Sequence, residues 1–286
     1  MSGGDDDRRD DLMGLLRGPG RLGTLALKRC RHGAMLYVKT DMYVGRSLDL
    51  YGEFSEAEGR FLAGLLLPGN LAIDAGANIG AHTLTMARAV APGGIVLAYE
   101  PQRILHQVLC ANLALNEVDN VHARQAALGA GPAVTRVPAI DYSRQGNFGG
   151  VTMGAEQGEV VRVETIDALR LRQLALLKAD VEGMEAEILQ GAAETIRRLR
   201  PLLYVEADRE DKLAALIELI RSLEYRLWLH TPPLFVADNY FGNAENVFPE
   251  IVSINLLCVP RERACPVAGL KEVDSAADGA FHIIRG

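Results

Sequence analysis

An open, doubly wound α/β sheet is the fold this sequence predicts, and three observations predict it. Short apolar runs recur between residues 70 and 260 and alternate with stretches of helical periodicity. That alternation implies a mostly parallel, Rossmann-like sheet covered on both faces. One turn, Asp74-Ala75-Gly76-Ala77-Asn78-Ile79-Gly80, is glycine-punctuated and leads directly from an apolar run into a helix. Acidic residues also gather at the carboxyl ends of the runs, where sheets of this class take their ligands.

The bulk properties agree. The 286 residues are 49% hydrophobic and 23% charged, ordinary for a globular protein. A net charge of −7 provides no basic footprint, so nucleic acid is not an expected partner. No apolar run approaches the length that crosses a bilayer, and the first residues, MSGGDDDRRDD, are too polar for a secretory signal. Cys30, Cys110, Cys258 and Cys265 are scattered without C-x-x-C spacing, which reads as reduced thiols rather than disulfides or a zinc site. A cytoplasmic protein is expected, acting on a small molecule, with a second copy of the chain as an admissible partner and no membrane partner.

Taken in order, residues 1–11 read as a disordered tail, 12–69 as an N-terminal cap or extension, and 70–286 as the main domain. Within the cap, Met35–Lys39 reads as a strand and residues 56–67 as a helix. Ser55 is its N-cap candidate, and Glu58 three residues on completes a capping box. Pro68-Gly69 ends it. Strands are then expected at Leu71–Asp74, Ile95–Tyr99, Val121–Gln125, Leu174–Asp180, Leu202–Glu206 and Arg226–His230, with a further one at Ile251–Val259. Leu105, Val108 and Leu109 mark the helix after the second strand. A helix is expected at Met184–Leu199, and Asp211–Leu223 carries the clearest stripe: Leu213, Leu216, Ile217, Ile220 and Leu223. Residues 126–165 interrupt the alternation with Gly-rich sequence, including Asn147-Phe148-Gly149-Gly150, and strand-like Val134–Val137 and Val160–Glu164. An insertion of that size usually serves the site.

The glycine turn narrows the ligand. Asn78 stands where a dinucleotide fingerprint wants a second glycine, and Asp74 places a negative charge at the mouth of the turn. A carboxylate there disfavours a pyrophosphate and favours a cation. S-adenosylmethionine, with its sulfonium and ammonium and no phosphate, fits better than NAD. Glu100, twenty residues past Gly80, is placed to accept ribose hydroxyls, which suits either nucleotide.

Asp180-Val181-Glu182-Gly183 is the second constellation. In an extended strand Asp180 and Glu182 point the same way, with Lys178 below them. Such a pair can orient a substrate hydroxyl, take its proton, or hold a hard divalent cation such as Mg²⁺; either carboxylate could instead cap the following helix. Glu206 and Asp208 end the next strand and His230 the one after. The candidate catalytic residues are Asp180, Glu182, Glu206 and His230, with Asp180 and Glu206 as candidate metal ligands. His230 is the best base by intrinsic pKa, and a histidine satisfied by a loop carbonyl is its alternative. His82, just inside the helix after the turn, reads as packing or as a cofactor contact. Asn239, Tyr240 and Asn243, in an amide- and aromatic-rich segment, join Asn147 and Asp208 as candidate acceptor contacts, although Asn and Gly are also default turn residues.

With these residues in view, the chain resembles FkbM-type S-adenosylmethionine-dependent methyltransferases. The resemblance is carried by Asp74 through Thr83, by Tyr99-Glu100-Pro101, by Ile166-Asp167-Ala168-Leu169, by Leu177 through Glu185, and by Ser253 through Pro260. It implies a seven-stranded methyltransferase sheet whose last strand is antiparallel. It implies O-methylation of a sugar or other natural-product hydroxyl, with S-adenosylhomocysteine as product. It implies donor contacts at Asp74, Gly76, Asn78, Gly80 and Glu100, extended through the motif strings to His82, Thr83, Pro101 and Ala126. An NAD-dependent oxidoreductase or epimerase is the alternative, disfavoured by Asn78, by Asp74 and by the lack of a Tyr-x-x-x-Lys pair.

Overall fold

The computed structural model describes residues 23–275. The tail expected at residues 1–11 lies outside that range.

Eight strands form the main sheet. In chain order they are β3 (Leu71–Ala75), β4 (Ile95–Tyr99), β5 (Val121–Arg124), β9 (Leu176–Ala179), β10 (Leu202–Glu206), β11 (Tyr225–His230), β12 (Asn255–Pro260) and β13 (Lys271–Val273). Across the sheet the order is β13-β11-β12-β10-β9-β3-β4-β5. The block from β10 to β5 is parallel, whereas β12 runs antiparallel to both β10 and β11. This is the doubly wound, mostly parallel sheet the sequence predicts. The expected seven strands are joined by an eighth, β13, a three-residue edge strand antiparallel to β11. Its run Lys271-Glu272-Val273 is too short and polar to read as a strand, and the register with Leu227–Leu229 makes it one.

Both faces are covered, as parallel strands require. On one side α7 (Glu210–Ser222) lays Leu213, Leu216, Ile217 and Ile220 against Ile73, Leu177, Leu203 and Val205. Each fully buried aliphatic side chain of that stripe contributes about 1.5–3 kcal/mol. On the other side α3 (Ala81–Val90) and α2 (Glu56–Gly64) pack Met86, Val90 and Leu62 on Ala72, Val96 and Leu176. Helix α2 stops at Gly64, short of the expected Leu67.

The helix expected at Met184–Leu199 is two helices, α5 (Glu185–Gln190) and α6 (Ala193–Leu199). They part at Gly191, where an added Cβ would stand 1.9 Å from the Gly129 carbonyl oxygen. The second half is started from a distance. Asp167 accepts the Thr195 N–H at 2.8 Å and the Glu194 N–H at 3.1 Å, doing for α6 what an N-cap residue does locally.

The segment before the sheet forms a hairpin, β1 (Leu25–Cys30) with β2 (Gly33–Val38), then α1 (Val44–Tyr51) and α2. Helix α4 (Arg103–Leu115) clips the open edge of β2. Asn112 pairs with both backbone groups of Leu36, and Asn116, which caps α4, does the same for Ala34. Two amides four residues apart lie on one side of a helix, so they meet alternate residues of one strand. Residues 126–165 build a small sheet of β6 (Ala127–Leu128), β8 (Glu159–Glu164) and β7 (Ala133–Val137). The loop between β7 and β8 returns to the hairpin, where Met42 donates to the Gly146 carbonyl and Gly146 to that of Thr40.

Candidate active site

A cavity of about 580 Å³ opens beyond the carboxyl ends of β3, β4, β9 and β10, within the size range of small-molecule sites. The turn after β3 forms its floor. Gly76 has a φ of 80°, and a Cβ there would stand 1.8 Å from the Asp180 carbonyl oxygen, so only glycine lets the two strand ends approach. Asn78 is also left-handed, and its Oδ1 folds back to accept the Ile79 N–H at 2.7 Å. Its side chain therefore finishes the turn while still lining the cavity, and Gly149 of the insertion lies close to it.

Glu100 joins this turn to the next. Its Oε2 accepts the Asn78 N–H and its Oε1 the Gln102 N–H, both at 2.8 Å. Burial lifts its carboxyl to about 7 against the pull of those two N–H groups. Pro101 and Ala126 line the same end. Gln102 was not singled out from the sequence, yet it ties the insertion down. Its Nε2 donates to the Phe148 carbonyl at 2.6 Å, and Tyr142 donates to its Oε1 at 2.9 Å.

Asp74 requires a correction. Its side chain is fully buried, Thr83 donates to Oδ2 at 2.6 Å, and Lys178 Nζ lies 3.1 Å from Oδ1. The carboxylate is matched within the protein, so it does not by itself select a cationic ligand. Thr83 is likewise a prop for Asp74 and not part of the cavity wall. Lys178 also reaches Asp180 Oδ2 at 3.3 Å. Burial works against its charge, but Asp74 and Asp180 outweigh that and hold its pKa above the ordinary value.

The expected extended run Asp180–Glu182 is not one. Strand β9 ends at Ala179, and Glu182 and Gly183 have left-handed φ of 58° and 94°. Glu185 holds that turn by accepting the Val181 and Gly183 N–H groups at 3.1 and 3.0 Å. The turn still brings the predicted carboxylates together. One oxygen each of Asp180, Glu182 and Glu206 lies within 4.8 Å of the others. Glu182 receives a hydrogen bond from Arg209, whose own Nε lies 3.5 Å from Asp208. Burial, with Asp180 adjacent, raises Glu182 to about 7. Burial and the same neighbours raise Glu206 well above the carboxylate range, and its buried Oε2 has no hydrogen-bond partner. Asp208 and Asn147 also line the cavity.

Gly80 and Thr83 are not among the cavity-lining residues, and four further expected site residues lie elsewhere. His230 stacks on Phe61 at 3.8 Å between ring centroids, and its Nδ1 meets the Tyr204 hydroxyl at 2.8 Å. Burial lowers its pKa to about 4, and it is not among the cavity-lining residues. The Asn239 side chain bonds both backbone groups of Asn243, and Asn243 Oδ1 accepts the Glu245 N–H, so both brace their own loop, while Tyr240 is exposed beside Phe241. That region's contribution to the wall is Leu234 and Ile251 through Ile254.

The segment ahead of β3 supplies Tyr43, Phe54 and Glu58 to the wall. Glu58 was expected to close a capping box. Instead Ser55 is left-handed and its hydroxyl donates to Glu58 Oε2 at 3.0 Å, turning the carboxylate into the molecule. Among the described residues no helix is long and apolar enough to cross a membrane.

Comparison with known proteins matches residues 74–227 to the methyltransferase FkbM domain. The chain is 32% identical over 163 residues to methyltransferase sdnD of Sordaria araneosa, covering 45% of this chain and 62% of that protein. It is 33% identical over 142 residues to methyltransferase 1 of Beauveria bassiana, covering 42% and 57%. The chain thus matches about three-fifths of the length of these curated relatives. Among solved structures, the methyltransferase FkbM of Methylobacillus flagellatus aligns with a TM-score of 0.45 at 20% identity, over 66% of this chain and 43% of that one.

Proposed function

The chain belongs to the FkbM methyltransferase family, and on that premise we propose that it moves a methyl group from S-adenosylmethionine to a hydroxyl oxygen of a small molecule. A sugar moiety or a glycosylated or polyketide product is the acceptor class. The observation that carries this reading is one cavity with two chemically different ends: the Gly76–Gly80 turn with Glu100 at one, and the Asp180, Glu182 and Glu206 carboxylates at the other.

At the first end Glu100 keeps a free lone pair on each oxygen after accepting two N–H groups, which suits the two ribose hydroxyls. At the other end the acceptor hydroxyl attacks the methyl carbon in line with the carbon–sulfur bond. The C–O bond forms, the C–S pair returns to sulfur as a neutral thioether, and the hydroxyl proton passes to a carboxylate. Asp180 and Glu182 are the positioned acceptors for that proton, a role worth about 10²–10⁴-fold. Holding the reactants collinear supplies the larger share, up to ~7–11 kcal/mol. The three clustered carboxylates are hard oxygen donors, and Glu206 Oε2 among them is buried without a hydrogen-bond partner, so they fit Mg²⁺. Bound there, the ion would lower the acceptor hydroxyl's pKa.

Calorimetric titration with S-adenosylhomocysteine and with NAD tests the reading. Binding of the first is expected; NAD binding without it would overturn the proposal. Chelation separates the two ways of activating the hydroxyl, since full turnover in EDTA leaves the proton to Asp180 and Glu182 alone.

A further inference from the structure

Helix α2, which precedes the family-matched stretch, meets the first turn of α3 at the cavity wall through Glu58 and His82. Both side chains are almost fully buried, at 3% and 8% exposure. Glu58 Oε2 accepts from Ser55, and its Oε1 lies 3.4 Å from Asn255 Nδ2. His82 Nε2 ends 3.7 Å from Glu58 Oε2, beyond hydrogen-bond range, and has no hydrogen-bond partner. A buried polar atom left unpaired costs about 1–3 kcal/mol, a cost that a ligand group placed beside this nitrogen would relieve.

The charges here are unbalanced. Asp74, Asp180 and Glu58 face one buried ammonium, Lys178, which lies within 3.3 Å of the first two and feels the charge of the third. That wall has room for a second positive charge. Beside it, the first-turn N–H groups of α3 have no partner within their own helix and carry the positive end of its dipole. Ala81 and His82 present that turn to the cavity. A carboxylate suits the helix end and the His82 N–H; an ammonium suits Glu58.

Position along the cavity agrees. Glu100 ends β4, on one side of β3, while Glu58 leans toward Lys178 of β9 and Asn255 of β12, on the other. A donor whose ribose rests on Glu100 must extend its amino-acid arm across the Gly76 turn toward Glu58.

Resting on the S-adenosylmethionine reading above, we propose that Glu58 and His82 seat the amino-acid end of the donor. Glu58 takes the ammonium, and His82 Nε2–H together with the α3 N-terminus takes the carboxylate. The N-terminal segment then contributes to donor recognition, and donors or inhibitors lacking the amino-acid arm lose this grip.

The test compares S-adenosylhomocysteine with 5′-methylthioadenosine, the same thioether nucleoside without the amino-acid arm, by calorimetry on the full chain. His82→Leu and Glu58→Gln are each expected to weaken S-adenosylhomocysteine at least tenfold and to change methylthioadenosine less than twofold. His82→Gln, which keeps an N–H donor, should regain most of the loss. An equal loss for both ligands, or none for S-adenosylhomocysteine, overturns the proposal while leaving the donor reading standing. Wild-type protein that binds neither ligand overturns both.

Discussion

Replacing Lys178 with methionine isolates what the buried charge pair under the cavity contributes. Lys178 and Asp74 are 1% and 0% exposed, with Nζ 3.1 Å from Oδ1. At an effective dielectric of about 20 their attraction is about 5 kcal/mol, and methionine keeps most of the stem's packing while deleting the charge. Asp74 would keep the Thr83 hydroxyl but face the interior as an uncompensated carboxylate. Removing one member of a buried pair costs about 3–5 kcal/mol, a large part of the ~5–15 kcal/mol that holds a domain folded. For a chain of this size that is a Tm lower by roughly 6–20 °C. Asp180 does not substitute as a partner to be lost, because it is partly exposed and water screens it. Urea and thermal unfolding of the unliganded protein, followed by circular dichroism, provide the measurement. Asp74→Asn combined with Lys178→Met should recover at least half of the loss, since no charge then stays buried. A single variant within 1 kcal/mol of wild type would refute the argument. So would a double variant no more stable than the single one.

Glu100 predicts opposite pH trends for binding and folding. Its folded pKa of about 7 lies above the ordinary 4.5, so the folded state holds its proton longer than the unfolded chain. Its stability contribution is full below about 4.5 and is lost as pH rises through 7, up to about 3 kcal/mol. Affinity for S-adenosylhomocysteine should rise over the same interval, as the carboxylate becomes an acceptor for ribose. Calorimetry across pH 5–8 reads this, and a flat profile that matches Glu100→Gln rejects the role. His230→Phe should keep turnover within about twofold, because His230 lies outside the cavity; a loss of 10² or more would restore it as a base. Asp167→Ala should cost about 1–2 kcal/mol of stability by uncapping α6 and leave S-adenosylhomocysteine affinity unchanged. A selective loss of affinity would move Asp167 from scaffold to site.

The sheet was legible because buried parallel strands are short apolar runs bounded by glycine and proline, and β4 and β10 fall on the expected residues. The strand-end carboxylates were legible for a topological reason: once a run is a parallel strand, its last residues face the ligand. What escaped were polar residues whose partners are remote in sequence. Asp167 caps a helix through Thr195, 28 residues on, Asn112 binds a strand 76 residues back, and Glu58 touches Asn255 across 197 residues. His230 was misplaced for the same reason. Its intrinsic pKa suggested a base, but Phe61 and Tyr204, which bury it, are invisible to local pattern.

The same non-locality changes what the Asp74 turn means. Read alone, Asp74 argues for a cationic ligand because it is a charge at the mouth of a strand. Folded, its charge belongs to Lys178, and the carboxylates left around that pair are Glu58 on one side and Asp180 on the other. On the proposed reading a cationic donor is still favoured, but by the assembled wall and not by the motif. One lysine shared between Asp74 and Asp180 also links the ends of β3 and β9, the two sides of the cavity to which the proposal gives donor and acceptor. A change at Lys178 that left the fold intact would then have to disturb both ends of the cavity together.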